Sequence, residues 1–353
     1  MILFTIVSDF LLYVLVSFLA GIIVLQFVPE HRKPAISVKK PAILLAIAAV
    51  PLLSAAPTIQ LMGLLMNNAG FGSALWTAVS EFQVGQSFAF SLFLAFFWFG
   101  ATAVNSSKYI QAFWLLLTII NMGFGSHAAS LDLLPGLLGH TLHFLSLSLW
   151  AGVLIIITWF SPALTNWRSF LKWFTPFAFG MMAIILLSGF AVWLLFSRPA
   201  DYTASWVLPY GQMLLLKHLS ILPLLAAAFL NGFGNQTKEP SHKGLKLETF
   251  MLGLVFLFTA SMSKLAPPHA VNNTFLTEGA APFIETLIGE QFLPIIPQFV
   301  LSMNGILLLI VGTFFIALMI MSFFRTIPFW LSSTFGVGFI LCVYLGIMLN
   351  MNF

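Results

Sequence analysis

Apolar stretches of about 20 residues, each long enough as a helix to cross a hydrocarbon core of about 30 Å, recur along the whole chain. Ten are legible, near 4–28, 42–66, 84–104, 109–128, 137–160, 174–196, 212–233, 247–266, 299–323 and 328–349. In hydrocarbon every backbone polar group must find its partner inside the chain, so such runs become helices. The predicted fold class is therefore all-α, a polytopic transmembrane helix bundle of about ten spans (8–10). Composition agrees. Of 353 residues, 60% are hydrophobic and only 7% charged, about a quarter of the usual charged share, which cannot clothe a water-soluble globule.

The positions of Lys and Arg test this segmentation, because short cytoplasmic loops carry the excess. Arg32, Lys33, Lys39 and Lys40, then Lys108, then Arg168 and Lys172, then Lys238, Lys243 and Lys246, then Arg325 fall at every second connection, eleven of the 14 basic residues. The opposite loops hold Arg198, while Lys217 and Lys264 fall inside spans. This alternation predicts both termini outside. The first run lacks a basic leader and a cleavage site, so it reads as a retained span and not a signal peptide. The longest outer loop, 267–298, carries Glu278, Glu285 and Glu290, and its FIETLIGEQF stretch is a candidate interfacial helix. No linker, tandem repeat or appended soluble domain interrupts 1–353, which reads as one integral membrane domain. The net charge of +4 comes from scattered loop residues without a basic-aromatic patch, so nucleic acid is not an expected partner. The lipid bilayer is.

Ionisable groups inside a membrane are costly and are functional candidates by default. In the predicted topology His31 and His242 are cytoplasmic, whereas His127, His140, His143, His218 and His269 share the outer side. His127 closes the fourth span, His140 and His143 open the fifth, and His218 lies about 9 Å below the start of the seventh at 1.5 Å per residue. The i,i+3 spacing of His140 and His143 puts both imidazoles on one helix face, where two can converge on one ion. Met62, Met66, Met122, Met213, Met262 and Met303 fall at the outer ends of their spans. Thioether with imidazole selects copper, Cu(I) above all. The single cysteine, Cys342, excludes an internal disulfide and a CxxC motif, so a soft-metal site must use His and Met. Each of these residues also has a plain structural role open to it: a histidine near a helix end binds a carbonyl, and a methionine in a span fills space.

The candidate metal ligands are thus His127, His140, His143 and His218, with Met122 and Met213. Asp9 in the first span, Glu81 before the third and Asp132 between His127 and His140 are carboxylates able to orient an imidazole, or to cap a helix or face water. Lys217, beside His218, would repel a copper ion unless it points away or is neutralised by an acid such as Asp9. The inner half offers Met181, Met182, Met251, Met319 and Met321 without a histidine. Pro51, Pro57, Pro176 and Pro223 lie within spans, where they are expected to kink helices.

The segment GSHAASLDLLPGLLGHTLHFLSLSLWAGVL resembles the copper resistance protein D (CopD) family, in which a histidine before small residues precedes a turn, an LH pair and a W-x-G. His127, His143, Trp150 and Gly152 fall on those positions. The FTPFAFGMMAIILLSGF span, YGQMLLLKHLS with Tyr210, Gly211 and Lys217, and KLETFMLGLVFLFTASMSKLAPP with Glu248, Pro267 and Pro268 follow the family's order, over about residues 80–270. The resemblance implies a copper homeostasis protein of the cell membrane, carrying copper inward from outside and making Trp150 a pathway candidate. Relatives work with a soluble copper-binding domain that this chain lacks, so a separate extracytoplasmic copper-binding protein is an expected partner. A b-type cytochrome with two histidines on a haem is the alternative, and a copper receptor that does not transport is another. No HExxH or GxSxG occurs, and an enzyme is not expected.

Overall fold

The computed structural model of the chain describes residues 2–67, 70–234, 242–268, 270–288, 295–325 and 327–353. The described residues are helical apart from the connecting loops, three short 3-10 turns and one two-residue strand pairing. Among the described residues nine helices are long and apolar enough to cross a membrane, which makes this a multi-pass membrane protein. Large apolar side chains such as Leu45, Phe96 and Leu187 lie on the outside, as a lipid-solvated surface requires. The helices fall into two compact units, 1–195 and 196–353. No linker marks the boundary in the sequence, because the division follows which helices pack together.

The first unit comprises α1 (Ile2–Phe27), α2 (Lys40–Leu65), α3 (Phe71–Glu81), α4 (Gln83–Ala103), α5 (Lys108–Phe124), α6 (His127–Leu131), α7 (Leu133–Phe160) and α8 (Trp167–Phe196), which runs to the boundary. The predicted span 109–128 needs correction. Its helix, α5, has 17 residues, about 25 Å at 1.5 Å per residue, and stops at Gly125. Ser126 then caps a new five-residue helix by accepting a hydrogen bond from the Ala129 N–H. Glu81, expected before the third span, ends the extra helix α3 and is exposed. Helices α2 and α8 run unbroken through Pro51, Pro57 and Pro176.

Two devices hold this unit together. At one end α4 and α5 are tied through Gln111, whose amide oxygen accepts from Trp98 Nε1 at 2.8 Å and Thr102 Oγ1 at 2.9 Å. Along their length α1 and α7 meet backbone to backbone, since a Cβ on Gly21 would collide with the carbonyl of Gly152, and one on Gly152 with the carbonyl of Ser17. Small residues permit this approach, which is how helices bind one another where lipid removes the hydrophobic driving force.

The second unit comprises α9 (Pro209–Phe233), α10 (His242–Met262), α11 (Val271–Glu278), α12 (Pro282–Ile288), α13 (Met303–Phe323) and α14 (Phe329–Met348), with β1 (Gln298–Phe299) and β2 (Met351–Asn352). Helix α9 continues through Pro223. Antiparallel α13 and α14 lie closely together, with Gly312 against Val343 and Gly346 against Leu309. The strands pair Gln298 with Asn352 and Phe299 with Met351, fastening the chain's end beside the start of α13. Part of the candidate interfacial helix FIETLIGEQF is seen as α12; its remainder, with Glu290, lies outside the described residues, as do Lys238 and His269. Within this unit α12 turns Ile284, fully buried, into a cluster with Val207, Leu208 and Ile340, and the Ala281 N–H donates to the Val207 carbonyl at 2.8 Å.

Candidate functional site

His143 is the best-defined of the predicted ligands. It lies half-buried on α7, and its Nδ1 stands 3.0 Å from the carbonyl oxygen of Ile185 on α8. A carbonyl only accepts, so Nδ1 carries the proton and the lone pair is on Nε2. Metal-binding histidines are oriented in this way, one ring nitrogen donating to a backbone carbonyl while the other faces the ion. Ser188 Oγ lies 3.4 Å from the same Nδ1. The ring fits because residue 189 is glycine: a Cβ there would come within 2.8 Å of His143 Cε1.

His140 sits one turn earlier on α7 with Nδ1 shielded from solvent and its ring 6.3 Å from that of Phe144. The α1–α7 packing shows what faces it. The Tyr13 and Phe144 rings are 5.5 Å apart, and Gly21 meets Gly152 two turns further on. Both rungs have the same sequence offset, so the helices run parallel in a fixed register. Between them the register pairs Ser17 with Ser148, both fully buried. One turn outward from Tyr13 and Phe144 it brings Asp9 to the level of His140. Asp9 is 7% exposed, so this carboxylate, expected as an orienting group, is buried on the α1–α7 seam.

The other predicted residues are placed differently. His127 does not close a span but begins α6, exposed. Asp132 is exposed in the N-cap position of α7 without a side-chain capping bond, and Trp150 is buried in the α7 core at 3% exposure. Met122 is half-buried on α5. His218 and Met213 belong to the second unit. His218 is exposed on α9, and its Nδ1 is 2.7 Å from the hydroxyl of Tyr202. Burial raises the Tyr202 phenol above its ordinary pKa, so the imidazole's partner is a neutral hydroxyl. Met213 packs against the cluster around Val207 and Leu208. Lys217 is half-buried and forms no ion pair among the described residues; Asp9, suggested to neutralise it, belongs to the other unit.

Among the described residues no three of His, Cys, Asp and Glu are grouped so as to hold a metal ion. The expectation of four histidines converging on one ion is therefore not met there. His127 rides on a separate surface helix, and His143 is turned to α8 by its contact with the Ile185 carbonyl. A cavity of about 250 Å³ in the first unit is lined by Lys40, Trp98, Thr102 and Gln111 among others, and by no histidine.

One group entered the sequence reading only through the CopD resemblance, without a place in the candidate site. Glu248, 3% exposed, is held on α10 by Asn231 of α9, whose Nδ2 donates to Oε2 at 2.7 Å. The predicted span began at 247 and left Glu248 at the membrane edge beside Lys243 and Lys246. The helix begins at His242 instead, which draws the carboxylate nearly two turns inside. No protein-family model, curated protein or solved structure matches this chain.

Proposed function

We propose that this chain is a copper transport protein of the cell membrane, taking copper at its outer face through His140 and His143 of α7 and moving it inward. What supports this reading is the order of CopD-like segments along the sequence, together with one geometric observation: the Nδ1 contact of His143 with the Ile185 carbonyl, the kind of backbone contact that orients a metal-binding imidazole. Asp9, at the level of His140, is a carboxylate able to orient that imidazole. Exposed His127 is suited to capture from a separate extracytoplasmic copper-binding protein, with Met122 on the neighbouring α5 as a soft donor. In the other unit His218 and Met213 would serve as accessory donors.

The test compares copper accumulated by cells expressing the wild type, His143→Ala and His143→Gln. Both substitutions remove the imidazole, while Gln retains an amide donor for the Ile185 carbonyl. Accumulation is expected to fall to the level of cells without the protein in both; wild-type accumulation in His143→Gln overturns the assignment. In proteoliposomes the purified protein should move copper across the bilayer, and stoichiometric binding without uptake would reassign it as a receptor. A Soret band in the purified protein would instead favour haem ligation by these histidines.

A further inference from the structure

The second unit holds a buried cluster that the outer histidines do not touch upon in sequence or in chemistry. Met251 on α10 and Met319 on α13 are both fully buried, and both turn their sulfurs onto Gly336 of α14. Around the point where a Cβ of residue 336 would stand, Met251 Sδ is 2.9 Å away and Met319 Sδ 3.2 Å. Two thioethers from different helices thus approach one spot in the interior.

Glu248 belongs to the same layer. Gly244 abuts Phe323, with a Cβ position 2.7 Å from Cε2, and Met251 meets Met319 over Gly336. On α10 Glu248 lies between these two contacts; on α13 Ser322 lies between the same two. Ser322 Oγ is 2.7 Å from Ser332 Oγ of α14, and both serines are buried. Glu248, Ser322 and Ser332 thus each stand about one helical turn along the chain from Met251, Met319 and Gly336 respectively. Asn231 is the carboxylate's only hydrogen-bond partner among the described residues, and no Lys or Arg pairs with it there. A carboxylate buried in a membrane helix without a counter-cation is expensive. A bound cation would remove that cost.

We propose that Met251, Met319 and Glu248 form a second, sulfur-lined binding site for a soft monovalent cation. Thioethers select Cu(I) and Ag(I) over hard ions, and one carboxylate balances one positive charge, leaving the loaded site neutral within the bilayer. The two serine hydroxyls complete its polar wall. Identifying the natural ion as Cu(I) rests on the transport reading above; the site then takes the ion within the membrane, on the side where Lys243 and Lys246 are expected to face the cytoplasm. Plain packing is the competing account, since methionine fills gaps beside glycine in many cores.

The test uses the full-length protein purified in detergent and titrated with Cu(I) buffered by a chromophoric chelator, with copper X-ray absorption to identify the ligands. Wild type is expected to show sulfur in the copper's shell. The double variant M251L/M319L preserves side-chain volume, so it should unfold near the wild-type temperature yet lose the sulfur-bound copper. Glu248→Gln should keep the sulfur signal and bind about tenfold more weakly, the scale on which groups supporting a metal's ligands act. H140Q/H143Q should keep the sulfur-bound copper. Copper without sulfur in the wild type, or an unchanged spectrum and stoichiometry in M251L/M319L, overturns the site and leaves packing as the account. The transport reading fails separately: it falls if the protein leaves cellular copper unchanged while M251L/M319L still abolishes the sulfur-bound ion in vitro.

Discussion

The seam between α1 and α7 in the first unit and the α10–α13–α14 layer in the second both rely on glycine, and use it in opposite ways. At Gly21 and Gly152 the missing side chains let two backbones touch, so the space is spent on joining helices. At Gly336 the space is filled by the flexible ends of Met251 and Met319. Their polar groups divide likewise. His143 spends one nitrogen on a backbone carbonyl of α8, whereas the Glu248 carboxyl is held by a side-chain amide of α9.

The largest expected effect breaks the first half of this comparison. Gly152→Val places a branched side chain where the Ser17 carbonyl and Gly21 already stand, and no rotamer relieves a clash with backbone. Destabilisation of about 3 kcal/mol or more is expected, the upper end of overpacking costs. It should show as a lost monodisperse peak in detergent chromatography, and a well-behaved Gly152→Val protein would mean the α1–α7 contact is looser than described. Next in size is Asn231→Leu, which strips the carboxylate of its hydrogen bond. A cost of about 2 kcal/mol is expected for a buried charged group losing its partner, read as a lowered unfolding temperature, and Glu248→Leu in the same chain should recover most of it. No recovery would deny that the two residues act as a pair. The smallest effect separates the two glycine uses. The atoms nearest a Gly336→Ala methyl are the Met251 methyl and the two sulfurs, which can swing aside at a cost of about 1 kcal/mol, while soft-ion binding should be impaired. A loss as severe as that of Gly152→Val would make Gly336 a backbone contact in all but name.

The histidines show where sequence reasoning stopped. The i,i+3 placement of His140 and His143 on one helix was legible, because helical periodicity fixes which residues share a face. The Ile185 carbonyl was not, being 42 residues from His143 and belonging to a backbone whose position no hydropathy pattern encodes. His127 was placed at a span's end because GFGSHAAS stays apolar; Ser126, an N-cap residue directly after Gly125, was the overlooked signal that a new helix starts there. Glu248 stood near the start of a predicted span, and what buries it is the packing of α10 on α9, where Asn231 meets it. His218's partner Tyr202 lies in the irregular stretch before α9, where no periodicity guides a reading.

By itself the sequence determined that this chain is built of long apolar helices, how many of them there are to within one among the described residues, and near which of their ends the cations cluster. Each of those is a sum over neighbouring residues: transfer energies add along a segment, and charge is counted loop by loop. Only the tertiary structure decided which helices meet, in what register, and therefore that Asp9 stands level with His140 and that Met251 and Met319 share a glycine. Lipid is as apolar as the helices it surrounds, so hydrophobicity cannot choose among helix faces. The choice falls to small residues and close packing, interactions between positions that the chain keeps far apart.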